Sequence, residues 1–165
     1  MMPRHRKLAI GTTLGIGFIF AALALYWQTH NSFSGAIRTK GPTACHMMPC
    51  IFHLGQVFPG DWDRVLIFNI GASQEEIDQA SGHHIKKPDL KRLIVFMHGS
   101  NVVRTLTESE GFEHPIPAAV LFGGVPQTLN HQIVQRDWDF VMTRGGPDCE
   151  DCTTLSRVMP GEVME

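Results

Sequence analysis

The hydrophobic pattern divides the chain near residue 30. Residues 8–27 form an uncharged apolar run of 20 residues that directly follows a basic flank, residues 1–7. At about 1.5 Å rise per residue, a helix of this length spans the roughly 30 Å hydrocarbon core of a bilayer. Basic flanks stay on the cytoplasmic side. The pattern therefore predicts a single-pass anchor in a bacterial inner membrane, with the rest of the chain in the periplasm.

A cleaved secretory signal is the alternative interpretation of this run. Ala22, Leu23 and Ala24 have the small-x-small pattern that signal peptidase accepts. Cleavage there would fall inside the apolar run, and the apolar part of a signal is typically shorter, about 7–15 residues. We therefore favour a retained anchor, and both interpretations place the polar part of the chain outside the cytoplasm.

The anchor also has a pattern associated with helix pairing. Gly11 and Gly15 have the GxxxG spacing that lets two membrane helices approach closely. A homodimer through the anchor is therefore a further expectation, although glycine is common in membrane helices in any case.

After the anchor, composition predicts a polar tether, residues 28–42, and then one exported domain, residues 43–165. Short apolar runs bounded by turn residues are typical of strands; these are 51–58, 64–70, 93–97, 102–107, 118–122 and 138–143. The segment SQEEIDQASG predicts one helix, capped by Ser73 with Glu76 three residues later and ended by Gly82. Strands leading into strands with about one helix predict an α+β domain with a small, mainly antiparallel sheet.

Several short segments in the middle of the chain match a loose pattern. They are DWDRV (61–65), IF (67–68), EEI (75–77) with Gly82, LIVF (93–96) and VV (102–103). The chain resembles, in these segments, small bacterial exported proteins and lipoproteins of uncharacterised function. The resemblance covers about half of the exported part, implies a small α+β module and supplies no catalytic residues. The chain lacks the lipid-attachment cysteine of the lipoproteins.

The exported part is acidic. All 16 Asp and Glu residues come after the anchor, whereas 3 of the 14 Lys and Arg residues precede it, which leaves 11 basic against 16 acidic groups, or a formal charge of −5. Nucleic acids and anionic membrane surfaces require basic patches on their partners. The charge therefore argues against a nucleic-acid partner and favours encounter with a basic protein.

The four cysteines form two close pairs, Cys45 with Cys50 and Cys149 with Cys152. Thiols outside the cytoplasm are usually oxidised, and four cysteines allow three connectivities. Bonds between the pairs would close a loop of about a hundred residues and stabilise the domain strongly on the chain-entropy model. We favour that arrangement over two local bonds and leave the connectivity open.

The first cysteine pair also frames the densest group of soft donors. Thiolate, thioether and imidazole together suit copper(I), and the candidate ligands are Cys45, His46, Met47, Met48 and Cys50. A zinc site would need all four cysteine thiolates. Oxidised cysteines do not ligate as thiolates, so we favour a disulfide loop over a copper or zinc site and expect no cofactor.

Catalysis has one weak sequence signal. The segment VFMHGS, residues 95–100, mimics the strand and His-Gly element of the α/β-hydrolase oxyanion hole. That fold also needs a Gly-x-Ser-x-Gly nucleophile elbow, which the chain lacks. We therefore assign no catalytic residue, interpret residues 98–101 as a hairpin loop, and favour binding over catalysis.

Two loops are the candidate partner contacts, because loops on a rigid scaffold carry most binding residues. The hairpin loop offers His98, Ser100 and Asn101. The segment 108–117 offers Glu110, Phe112 and His114, an aromatic anchor among polar groups that is typical of an interface hot spot.

The sequence therefore predicts a membrane-anchored periplasmic binding module of immunity or inhibitor type, directed at a basic periplasmic enzyme or toxin. A structural subunit of an envelope complex is the alternative. A periplasmic copper-handling protein is the third hypothesis.

Overall fold

The computed structural model describes residues 32–44, 50–109, 120–125, 130–144 and 153–159. The predicted anchor, residues 8–27, and its basic flank lie outside these ranges. Within them, no helix is both long enough and apolar enough to cross a membrane.

The described part contains short helices and strands in a mixed order. They are α1 (Phe33–Ala44), β1 (Ile51–His53), α2 (Leu54–Val57), β2 (Arg64–Phe68), α3 (Gln74–Ser81), β3 (Lys91–His98), β4 (Asn101–Ser109), β5 (Val120–Gly123), β6 (His131–Gln135), β7 (Asp139–Arg144) and β8 (Thr153–Arg157).

The strands form two sheets of four strands each. Sheet A has the order β1-β7-β8-β5, and sheet B has the order β4-β3-β2-β6. Sheet B is antiparallel throughout, whereas β5 pairs with β8 in parallel in sheet A. The prediction of one small, mainly antiparallel sheet with about one helix was therefore wrong. In sheet A, β1 pairs with β7 and β5 pairs with β8, and these partners are distant in the chain. No hairpin turn in the sequence indicates these two pairings.

Helix α1 occupies most of the segment predicted as a polar tether, residues 28–42. The Ser32 hydroxyl accepts a hydrogen bond from the Gly35 amide at 3.0 Å, which begins the helix. Phe33 and Ile37 are buried in the core. Glycine and proline in the segment disfavour a helix, but burial of its apolar face compensates. Residues 33–44 therefore contribute to the core of the compact unit Ser32–Glu165.

The main core combines side chains of α1, α2 and both sheets. Its largest members are Phe33, Ile37, Phe52, Leu54, Phe58, Trp62, Ile67, Ile94, Phe96, Phe122, Phe140 and Leu155. A second cluster lies between the other face of sheet B and α3 and includes Leu66, Phe68, Ile77, Leu93, Val95 and Met97. Because successive residues of a strand face opposite sides, the apolar runs of β2 and β3 supply both clusters.

The predicted capping box of α3 is confirmed. The Glu76 amide donates to the Ser73 hydroxyl at 3.1 Å, and the Ser73 amide donates to the Glu76 carboxylate at 2.7 Å. Gly82 ends the helix with a φ of 71°, the left-handed conformation that favours glycine. Local sequence was sufficient here because every partner lies within one helical turn.

Candidate functional site

The β3–β4 hairpin ends in an exposed two-residue turn, Gly99 and Ser100. His98 pairs with Asn101 at the last rung of the ladder, and Gly99 has a φ of 56°, which suits a tight hairpin turn. The predicted hairpin loop is thus confirmed, and we call residues 98–101 the hairpin tip.

Two other segments, one with Asp61 and Asp63 and one with His83, hold the backbone and the base of the hairpin tip. The Gly99 amide donates to the Asp63 carboxylate. The His83 ring, through Nε2, donates to the Ser100 carbonyl oxygen at 2.6 Å in the tautomer that carries a proton there. His98 Nδ1 lies 3.2 Å from the Asp61 carboxylate. Residues far away in sequence therefore fix the turn from two sides.

The side chains at the hairpin tip remain available to solvent. His98 retains 52 % and Asp61 retains 88 % of its side-chain surface, and Ser100 and Asn101 are exposed. A backbone that is already fixed does not lose the conformational entropy that a mobile loop would lose on binding. The arrangement suits a protein contact better than chemistry within a closed site.

A cavity of about 170 Å³ opens beside the hairpin tip. It is lined by Phe58, Pro59, Gly60, Asp61, Trp62, Phe96, Val103 and Arg104, and we call it the Trp62 pocket. The Trp62 and Phe96 rings pack edge to face with centroids 5.1 Å apart. The Trp62 indole N–H donates to the Phe58 carbonyl oxygen at 2.7 Å. The pocket therefore has a rigid aromatic wall that leaves no indole donor free.

The two charged groups of the Trp62 pocket are exposed. Arg104 is exposed, and its guanidinium lies 5.9 Å from the centroid of the Phe96 ring, a cation–π distance. Asp61 carries the opposite charge. The pocket is therefore apolar inside with one basic and one acidic group beside it.

Comparison with known proteins gives no relative. No protein-family model matches the chain, and neither the curated proteins nor the solved structures yield a match. The function must therefore be argued from the site itself.

The second predicted contact, with Glu110, Phe112 and His114, lies outside the described residues. Its flanks are described: β4 ends at Ser109 and β5 begins at Val120. The Val120 amide donates to the Ser34 hydroxyl at 3.3 Å. Both flanks lie at the end of β4 opposite the hairpin tip.

The flank of this loop at Glu108 is buried in a polar network. Its carboxylate accepts from the Ser34 amide at 2.9 Å and from the Ser34 hydroxyl at 2.8 Å. The Arg92 guanidinium lies 3.6 Å away. Glu108 therefore joins the start of α1 to sheet B and is not a surface contact.

The predicted cysteine and metal sites lie mostly outside the described residues, namely Cys45, His46, Met47, Met48, Cys149 and Cys152. Cys50 is described and is disulfide-bonded, so it does not offer a thiolate to a metal. Among the described residues, no group of three His, Cys, Asp or Glu side chains is placed to hold a metal ion.

Sequence reasoning missed the groups that hold the hairpin tip. Asp63 and His83 are separated from their partners by 36 and 17 residues, so spacing along the chain gives no hint of these contacts. The one available signal was the Asp-Trp-Asp triplet, residues 61–63. Alternation along an extended chain puts the acids on the face opposite Trp62, and Trp62 is 4 % exposed.

Proposed function

We propose that the protein is a membrane-anchored, exported binding module that contacts a partner protein through the hairpin tip. The observation that carries this proposal is the tip itself: its turn is fixed by Asp63 and His83, while His98, Ser100 and Asn101 keep exposed side chains. Pre-organised loops of this kind are typical of inhibitors and other rigid binders.

The position of the hairpin tip within the domain supports the proposal. The folded unit begins at Ser32, and Ser34 is bound to Glu108 near the far end of β4. Asn101 lies seven residues from Glu108 along this strand, about 24 Å away at roughly 3.4 Å per residue. The hairpin tip is therefore remote from the end of sheet B at which the chain enters the domain.

The charge of the chain bears on the kind of partner. The acidic balance of the exported part favours a basic partner, as expected for inhibition of many cell-wall-cleaving enzymes or toxins.

Site-specific photo-crosslinking in intact membranes tests this function. A photoreactive side chain replaces Asn101 at the hairpin tip in the full-length chain, and a control chain carries it at Leu90. Leu90 is 64 % exposed and precedes β3 at the opposite end of the sheet. We expect a discrete crosslinked protein from position 101 and none from position 90.

The identity of the crosslinked protein separates the hypotheses. A soluble hydrolase or toxin supports the inhibitor or immunity function. Membrane subunits of one assembly would instead favour a structural role in an envelope complex. Equal crosslinking from positions 101 and 90, or none from either, contradicts the proposal.

A further inference from the structure

Strand β4 forms an edge of sheet B. It pairs with β3 on one side, and no strand pairs with its other side in the part of the chain that the structure describes. An edge strand presents a row of outward N–H and C=O groups that an incoming strand can bind. At nine residues, β4 is longer than the usual five or six.

The composition of β4 leaves this edge open. Proteins commonly protect edges with lysine or proline, and neither occurs in NVVRTLTES. The inward-pointing charge of this strand, Glu108, lies near the end remote from the Trp62 pocket. Val103, Thr105 and Thr107 are exposed and β-branched, which suits pairing with an added strand.

A bulge at the start of β4 lies beside the Trp62 pocket. Phe96 pairs with Arg104 and Met97 pairs with Val102, so Val103 is the extra residue. Bulges interrupt regular pairing and re-aim side chains. The regular edge therefore begins at Arg104.

The bulge residues also line the Trp62 pocket. Val103, which is 49 % exposed, and Arg104 both contribute to its wall. The pocket volume of about 170 Å³ slightly exceeds that of a 150 Å³ protein cavity known to hold benzene. One large apolar side chain therefore fits into it.

The charges beside the pocket indicate the chemistry of the partner. Arg104 contacts the Phe96 ring, and no carboxylate among the described residues forms a salt bridge with it. Asp61 is already paired with His98. The group that complements this pocket is therefore an apolar side chain with a carboxylate beside it.

We propose that residues 104–109 bind an extended segment of the partner protein as an added strand, with an apolar side chain in the Trp62 pocket and an adjacent carboxylate on Arg104. This inference rests on the proposed binding function and names the class of its ligand. Main-chain hydrogen bonds supply affinity in such strand addition, and the pocket supplies specificity.

Fluorescence polarisation with designed peptides tests the inference on the full-length chain in detergent. The probes are fluorescein-labelled Leu-Glu-Thr-Val-Thr-Val and its reversed sequence, which cover both strand directions. We expect saturable binding of one of them, weakened at least tenfold by exchanging its Leu for Ala. Exchanging its Glu for Lys should also weaken binding to the native chain, and Arg104→Glu should reverse this preference.

Val103→Glu and its matched control Leu90→Glu locate the binding surface. Both substitutions place a carboxylate at an exposed apolar position, so both variants should retain the native thermal melt. Val103→Glu should weaken peptide binding at least tenfold, whereas Leu90→Glu should leave it unchanged. Hydrogen exchange should slow on peptide addition in residues 104–109 of the native chain.

Distinct outcomes overturn this inference. The inference fails if neither peptide binds, if exchange slows elsewhere, or if both Glu variants bind equally. Self-association of the chain that protects β4 would identify a second copy as the occupant and also overturn it. The crosslinking at position 101 uses no peptide and is therefore independent of this test. A crosslink from the hairpin tip, together with unchanged peptide binding by Val103→Glu, would support the proposed function and reject only strand addition.

Discussion

Asp63 organises the hairpin tip through contacts on both its main chain and its side chain. Its amide donates to the Met97 carbonyl oxygen and its carbonyl accepts from the Arg136 amide, each at 2.8 Å, which extends the sheet by one residue. This places the carboxylate where the Gly99 amide can reach it. Asp61, two residues earlier, is almost fully exposed and contacts only His98 among the described residues.

Replacing these two acids should therefore have different effects. Asp63→Ala removes the hydrogen bond to the exposed Gly99 amide and the ion pair with Arg64, and it should lower the free energy of unfolding by about 0.5–1 kcal/mol. Asp61→Ala should change it by less than about 0.5 kcal/mol, as for most exposed contacts. Urea unfolding measures both, and hydrogen exchange at Gly99 should accelerate only in Asp63→Ala. Equal exchange in the two variants would show that Asp63 does not fix the turn.

Glu76 gives the domain an acid-sensitive contact. The Ser73 amide and then the Asn130 side chain donate to its carboxylate, which lowers its pKa from the ordinary 4.5. A lowered pKa in the folded state stabilises the fold above the ordinary value, and this contribution is lost as the pH falls through the folded-state pKa.

The loss of the Glu76 contact should be visible in acid. Urea midpoints of the native chain should fall as the pH drops below 4.5, and Glu76→Gln should show a smaller fall. Glu75→Gln is the matched control because Glu75 is an exposed neighbour in the first turn of α3. An identical pH dependence for native and Glu76→Gln chains would contradict the assignment.

At the scale of elements, the sequence was informative where partners are close in the chain. The α3 capping box lies within four residues, and the two-residue turn between β3 and β4 joins adjacent apolar runs. Both elements were predicted correctly for these local reasons. The hairpin tip, which is one part of the candidate site, was therefore also predicted from the sequence.

The remaining elements depend on distant contacts. Helix α1 contains Gly35, Gly41 and Pro42, and its stability comes from packing of Phe33 and Ile37 rather than from helix propensity. The strands of sheet A are short, and β1 pairs with β7 across some ninety residues. The Trp62 pocket likewise joins segments near residues 60 and 103. Periodicity carries no information about such pairings.

Phe33→Ala tests whether α1 belongs to the folded unit. The Phe33 ring is 1 % exposed, stacks on Phe58 at 5.0 Å and contacts Phe96 and Phe122 at 6.2 Å. Removing a buried aromatic ring should cost about 3–5 kcal/mol. Lys40→Ala in the same helix is the control, since Lys40 is exposed. If the two variants have the same free energy of unfolding in urea, this segment is better interpreted as a tether.

At the scale of the whole molecule, the sheet geometry narrows the disulfide connectivity. Cys50 is aligned with Met142 on β7, whose amide donates to the Cys50 carbonyl oxygen at 3.1 Å, and Met142 pairs with Leu155 on β8. Thr153 lies on β8, two strands away from Cys50 and two residues from Leu155. The Cα atoms of Thr153 and Cys50 are therefore about 12 Å apart. Cys152 is one residue from Thr153, within about 3.8 Å.

A bond between Cys50 and Cys152 is therefore not expected, because its Cα atoms would be more than about 7 Å apart. Two connectivities remain: Cys45–Cys50 with Cys149–Cys152, or Cys45–Cys152 with Cys50–Cys149. Mass spectrometry of a non-reduced digest should find one of these two sets. A peptide that joins Cys50 to Cys152 would contradict the register of sheet A.

The orientation of the chain determines whether any of these surfaces meets a periplasmic partner. Residues 1–7 carry Arg4, Arg6 and Lys7, and the acidic groups all lie beyond the apolar run, so the positive-inside rule predicts that the domain faces outward. Alkaline phosphatase fused after Glu165 should be active, because it folds only in the periplasm, and a cytoplasmic reporter fused there should be silent. Membrane retention after carbonate extraction should distinguish a spanning anchor from a cleaved signal. A fusion active only in the cytoplasm would contradict three predictions together: the oxidising compartment, the disulfides between the cysteine pairs and the periplasmic partner. All three depend on export.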